Sequence, residues 1–224
     1  MLVLGLDTSS PAVSTALVDL DSGRTVAESV VVDGRRHGEL LAVGVRAVLA
    51  GTGRDELRAV VVGLGPGPFT GLRVGLVTAA ALADAWSLPV YGVCSLDGMV
   101  PEELAAPAAD VAVVADARRR EVYWASYAAG RRLEGPAVGR PAELAGHLRS
   151  LPRAPVLVGA GAVLYREAFE GLSVLDEPQY PKADRLVGLA AERICGGDPS
   201  DPLTPLYLRR PDAVAPGVPK RVTA

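Results

Sequence analysis

Two stretches of this chain share one pattern: an apolar run ending in an acidic residue, a short polar turn, and a second run heading straight back. The first is LGLDTSSPAVSTAL (4–17) and the second is VVADARRREVYWAS (113–126). Short apolar runs bounded by turn residues read as buried strands. Each stretch therefore predicts a β-hairpin that turns at a carboxylate, Asp7 in one half and Asp116 in the other. A 224-residue chain that opens both halves alike is held to a duplicated α/β unit.

The periodicity predicts further strands at 13–20, 25–32, 59–63, 89–93, 121–128 and 155–161, and helices at 37–50, 70–86, 142–151 and 183–194. Hairpin-connected strands followed by helix–strand units imply mixed sheets with helices on their faces. The expected division is residues 1–104, residues 105–210 and a flexible tail at 211–224, with a boundary in PEELAAPAAD (101–110). Paired hairpin turns facing a cleft resemble the actin and sugar-kinase architecture, in which such turns cup the phosphates of a nucleotide. On that reading Asp7, Thr8 and Ser9 are candidate nucleotide contacts. The absence of glycine from the turn instead favours Asp7 as a turn-capping carboxylate.

Hydrophobic residues make up 49% of the chain and charged residues 22%, a folded composition. Only 10 residues are aromatic, so the core falls to Val, Leu and Ala. The net charge of −3 argues against a surface that grips nucleic acid everywhere, and it leaves room for a local basic patch. Cys94 and Cys195 have no metal-type spacing and are read as buried, inert thiols. The N-terminus lacks a basic leader region, and no apolar stretch approaches the roughly 20 residues of a membrane span. The expectation is a soluble cytoplasmic protein with no membrane contact.

GLGPGPFTGLRVG (63–75) has the look of a phosphate loop without its chemistry. It has no Gly-Lys-Ser/Thr ending, and Pro66 and Pro68 remove N–H donors. The prolines bias Gly65 and Gly67 toward extended backbone, and Thr70 is placed to cap the following helix. That helix is apolar nearly all round, which predicts that every side is covered. Gly71, Gly75 and Ala79 recur every fourth residue, a flat stripe suited to close helix approach. In the helix from His37, the set Leu40, Leu41, Val45, Val48 and Leu49 faces the core, while Ala42, Val43, Ala47 and Ala50 leave a second apolar side. The two helices together predict an intermolecular contact, and Gly75→Leu should wedge it apart.

Taken together, LGLDTSS, RRHGELL, GLGPGPFTGLRVG, DARRREVY and PLYLRR resemble the TsaB (YeaZ) family, from residue 2 to about 210. The resemblance implies two actin-like (ribonuclease-H-like, ASKHA) domains and no independent catalysis. It implies a bacterial accessory subunit in the synthesis of threonylcarbamoyladenosine in tRNA. Such a subunit pairs through its N-terminal helices with the catalytic paralogue TsaD, works with the ATPase TsaE, and forms a homodimer when alone. No cofactor is expected on this chain, ATP being used by the complex, and tRNA is met through the complex. The partner-binding residues it points to are His37, Leu41, Val45, Pro66, Gly67, Phe69, Thr70, Gly71, Arg73, Gly75, Thr78, Ala79 and Leu82. In TsaD-like paralogues a His-x-x-x-His metal pair stands where this chain reads SLDGM, with Ser95 and Met99 at the histidine positions. Neither side chain replaces an imidazole, so no metal is expected.

Arg35, Arg36, Arg118 and Arg119 are read either as solvated turn residues or as contacts to tRNA phosphate or another subunit. Tyr207 and Arg209 of PLYLRR are assigned a structural role. The competing function is an autonomous enzyme of actin-like fold, a small-molecule kinase or a glycoprotease-like peptidase. The glycine-free turns and the missing ligands weigh against it.

Overall fold

The computed structural model describes residues 1–104 and 110–209. Residues 105–109 of the expected boundary and the whole expected tail lie outside that set. Strands β1 (Leu2–Asp7), β2 (Ala12–Asp19), β3 (Arg24–Val32), β4 (Leu57–Gly63) and β5 (Val90–Val93) form one sheet in the order β3-β2-β1-β4-β5. β1 pairs antiparallel with β2 and parallel with β4. Strands β6 (Asp110–Asp116), β7 (Val122–Ala128), β8 (Arg131–Gly139) and β9 (Val156–Val158) form a second sheet in the order β8-β7-β6-β9. β6 likewise pairs antiparallel with β7 and parallel with β9, so the second sheet repeats the first without its fifth strand.

Alternation along β1 sorts the first sheet into two faces. Leu4 and Leu6 meet helices α1 (His37–Val48) and α2 (Phe69–Trp86) through Leu41, Val45, Val48, Leu76, Ala79 and Ala83. Val3, with Ala59 and Val61 of β4, meets Ala183, Leu186, Val187, Ala190 and Ile194 of helix α5 (Ala183–Gly196). By chain order α5 belongs to the second half, yet its apolar face closes the first sheet. Gly5 permits this approach, since a Cβ there would stand 2.6 Å from the Ala183 carbonyl oxygen.

The second sheet carries helices α3 (Pro141–Ser150) and α4 (Ala160–Leu164) on one side, through Leu144, Leu148 and Ala162, with Phe169 of the turn after α4 in the same cluster. Its other side, with Val111, Val113, Tyr123 and Tyr127, packs on Cys94, Leu96, Met99 and Val100 of the segment that follows β5. The Tyr127 hydroxyl donates to Asp97 at 2.8 Å, and Arg132 lies 3.1 Å from the same carboxylate oxygen. The two sheets are thus tied through a shared core and a polar bridge. No described helix is long and apolar enough to cross a membrane.

β8 has no counterpart in the sequence reading. Its RRLEGPAVG combines charges with a Gly-Pro pair, which normally breaks strands. It is an edge strand, where proline is tolerated, and its register slips beside Trp124 and Ser126. Cys94 is buried, and burial pushes its thiol up to about 11, whereas Cys195 is exposed and corrects the expectation of two buried thiols.

Candidate functional site

The glycine-proline loop is a mould for the chain's own first turn. Gly63, Gly67, Gly71 and Gly75 recur every fourth residue, and each faces residues 7–9. A Cβ at Gly63 would strike the Asp7 carboxylate, one at Gly67 the Ser9 carbonyl, and one at Gly75 the Thr8 hydroxyl. At Gly71 it would stand 2.7 Å from the Thr8 carbonyl oxygen. The Thr8 hydroxyl itself donates to the Gly71 carbonyl at 2.8 Å. The close approach the sequence signals is therefore intramolecular.

Asp7 is fully buried, and its acceptors are satisfied by the Ser9 N–H at 2.9 Å, the Ser9 hydroxyl at 2.8 Å and the Ser95 hydroxyl at 2.6 Å. Burial raises its pKa against these hydrogen bonds. The side chains of Asp7 and Thr8 are turned into the fold and engaged there. Of the three candidates only Ser9 lines an open cavity. Ser95 is engaged between Asp7 and the Gly65 N–H, and Met99 is 1% exposed in the inter-sheet core.

The partner-binding set divides. Pro66, Gly67, Leu41, Val45, Gly71, Gly75 and Ala79 are buried within the chain, a correction: the five helical residues lie on the sides of α1 and α2 that pack on the sheet and the first turn, and Pro66 and Gly67 lie in the loop ahead of α2, with Gly67 against Ser9. Thr70 and Arg73 are exposed, while Thr78, Leu82, His37 and Phe69 are half-buried. Thr70 makes no cap, because α2 already begins at Phe69 with Pro68 ahead of it. Gly65 adopts a φ of 90° rather than extended backbone. His37 opens α1, its Nε2 lying 2.8 Å from the Ser10 carbonyl oxygen. Phe69 stacks on Tyr207 with ring centres 4.7 Å apart, and Arg73 covers the Phe69 ring at 3.7 Å.

The two helices also expose apolar side chains, beside the charged Glu39, Arg46, Arg73 and Asp84. Val43 and Val77 are 55% and 67% exposed, and Ala42, Ala47, Ala50, Ala80 and Ala81 are exposed around them. Val77 is absent from the predicted set because a helix apolar all round hides which side faces out.

The second hairpin turn faces the first across a groove. Arg118, Arg119 and Arg120 all have positive φ, at 61°, 54° and 60°, a left-handed turn without glycine. Its base is fixed by the Arg118 N–H, which donates to Asp116 at 2.8 Å, and by Arg209, which donates to the Ala117 carbonyl at 2.7 Å and pairs with Glu121. Arg209 thereby fills a structural role. Three adjoining cavities, of about 340, 200 and 340 Å³, all include Pro68 and Arg118 in their walls. The first also holds Ser9, Asp116 and Tyr180, the second Arg119, Tyr207 and Arg209, and the third Arg35 and His37. The groove thus brings Arg35, Arg118 and Arg119 together, while Arg36 is drawn aside by Asp33 at 2.9 Å.

Two sheets of matching strand order, each presenting a hairpin turn to a common groove, define a protein of the actin-like class. The activator of the 2-hydroxyisocaproyl-CoA dehydratase from Clostridium difficile shares that fold at 12% identity and a TM-score of 0.52, over 88% of this chain and 95% of that one. The family model described as tRNA N6-adenosine threonylcarbamoyltransferase (TsaD) matches residues 31–161. The tRNA threonylcarbamoyladenosine biosynthesis protein TsaB of Escherichia coli is 30% identical over 222 residues, covering 93% of this chain and 95% of that protein. YeaZ from Pseudomonas aeruginosa superimposes with a TM-score of 0.75 at 30% identity, over 92% of this chain and all of that one. An uncharacterized protein of Mycobacterium tuberculosis is 44% identical over 213 residues, 94% of this chain and 93% of that one. The chain belongs to the TsaB (YeaZ) family.

Proposed function

We propose that this chain acts in forming threonylcarbamoyladenosine on tRNA as a non-catalytic partner subunit. It pairs with a TsaD-type transferase, works with a TsaE-type ATPase, and forms a homodimer when alone. It binds no cofactor of its own, the complex uses ATP, and the assembly works in the cytoplasm. The observation that carries this reading is the exposed apolar side of α1 and α2, centred on Val43 and Val77, on a member of the TsaB family. Large apolar patches rimmed by polar residues mark protein interfaces. The non-catalytic part draws support from Ser95 and Met99, whose atoms are engaged in the fold, and from the buried Asp7.

Mixing the chain with its TsaD-type counterpart and following co-elution and tRNA modification tests the proposal. Val43→Glu and Val77→Glu leave the core untouched. Each is expected to weaken assembly at least about thirtyfold, the size of a hot-spot loss. Full assembly by both variants overturns the docking face, and unchanged modification without the chain overturns the subunit role.

A further inference from the structure

The groove between the two turns has a composition unlike the rest of the molecule. The chain holds only two Phe, two Trp and six Tyr, yet Phe69, Tyr123, Tyr180 and Tyr207 all line two adjoining cavities. Its charge is −3, yet the three cavities together present Arg35, Arg118, Arg119 and Arg209 against a single carboxylate, Asp116. Arg209 is tied to Glu121, and Arg118 lies 3.3 Å from Asp116 while 65% exposed. The Arg35 side chain has no ion pair among the described residues, and His37 stands in the same cavity wall. Arg118 also reaches across the groove, its Nη2 lying 3.9 Å from where a Cβ at Gly34 would stand. The two halves therefore contribute cations to one channel.

The aromatic rings differ in what they leave open. Phe69 is covered by Tyr207 on one side and Arg73 on the other, and Tyr123 is 6% exposed. Tyr180 makes no ring contact among the described residues, and Tyr207 is 38% exposed. Rings and cations sharing the walls of one groove are what an unpaired nucleic-acid strand needs: stacking for bases and charge for phosphates. Folded duplex RNA offers the phosphates but not the open base faces, because its bases are stacked on each other. The two cavities of about 340 Å³ fall at the scale of one small ligand each, and the one of about 200 Å³ lies below it.

We propose that this groove holds an unpaired RNA segment, with Arg35 and Arg118 meeting phosphates and Tyr180 and Tyr207 stacking on bases. The choice of RNA rests on the function proposed above; the preference for unpaired nucleotides rests on the groove alone.

The test measures binding of a short fluorescein-labelled single-stranded RNA to the full chain by anisotropy across salt concentrations. The matching duplex, adenosine monophosphate and inorganic phosphate serve as comparison ligands. The single strand is expected to bind more tightly than the duplex, with affinity falling steeply as salt rises. Arg118→Asn keeps a residue that tolerates positive φ and is expected to lower the log–log salt slope by about 0.7, one phosphate contact on a single strand. Tyr180→Leu should weaken binding roughly five- to a hundredfold with the slope unchanged. Thermal melting of both variants checks that they fold. Equal affinity for duplex, competition by the monophosphate or by phosphate alone at equal concentration, or unmoved affinity and slope in both folded variants overturns the inference. If the chain still supports tRNA modification with its counterpart after such a result, the groove reading falls and the subunit reading stands. Specific single-strand binding without any contribution to modification gives the reverse.

Discussion

At Gly75 a hydrogen in place of a methyl decides whether the first turn fits beneath α2. Gly75→Ala would drive its methyl into the Thr8 hydroxyl and displace the bond from that hydroxyl to Gly71. Overpacking of this kind costs about 1–3 kcal/mol, to be read from urea unfolding. Gly38 in the same fold has open space around it. Gly38→Ala is expected to stabilise by about 0.5–1 kcal/mol through helix propensity, so opposite signs are predicted for two glycine-to-alanine changes. Asp7 carries a pH dependence. Its folded pKa lies above the ordinary 3.8 because burial disfavours the anion. The fold therefore binds the proton more tightly than the unfolded chain, and this contribution is full below the unfolded value and lost as pH rises through the folded one. Asp7→Asn removes the titration, so its stability deficit against the parent should be largest near pH 4 and shrink toward pH 8 in unfolding curves. That Asp7 ends a strand and caps its turn was legible in LGLDTSS. That its carboxylate is sealed under Gly63 was not, because spacing within one segment does not report what a segment 56 positions later leaves room for.

Among elements, the β6–β7 turn departs furthest from local preference. Three consecutive arginines in left-handed geometry each oppose the steric bias of an L-residue. Arg120→Gly should relieve one such penalty and raise stability by about 1 kcal/mol in thermal unfolding, because its side chain lines none of the three groove cavities. A local rule broken where two turns face each other over a groove is what a functional constraint produces. The helices were the most legible elements: α1 starts at the expected His37 and α5 at the expected Ala183. β8 was illegible because its Gly-Pro pair reads as punctuation, and only pairing with β7 makes it a strand. The outward side of α2 was misread for a related reason. Periodicity needs polar positions to set its phase, and FTGLRVGLVTAAALADAW offers few.

For the whole molecule, the duplicated sheet order was written in the paired hairpins, but the crossing of α5 to the first sheet was not. Order along the chain assigns α5 to its own half, whereas burial of Ala183, Leu186, Val187, Ala190 and Ile194 assigns it elsewhere. A fragment of residues 1–104 would expose the face formed by Val3, Ala59, Val61, Tyr91 and Val93. It is expected to lack cooperative unfolding by circular dichroism, and adding a synthetic 183–209 peptide should restore part of it. Leu186→Asp in the full chain should unfold it or lose on the order of 4 kcal/mol, the scale of an unpaired buried charge. The same crossing sets a timetable for biosynthesis. A ribosome that has released the first five strands has not yet emitted the helix that shields them, so this apolar face must wait, unprotected, for most of the remaining polypeptide to emerge.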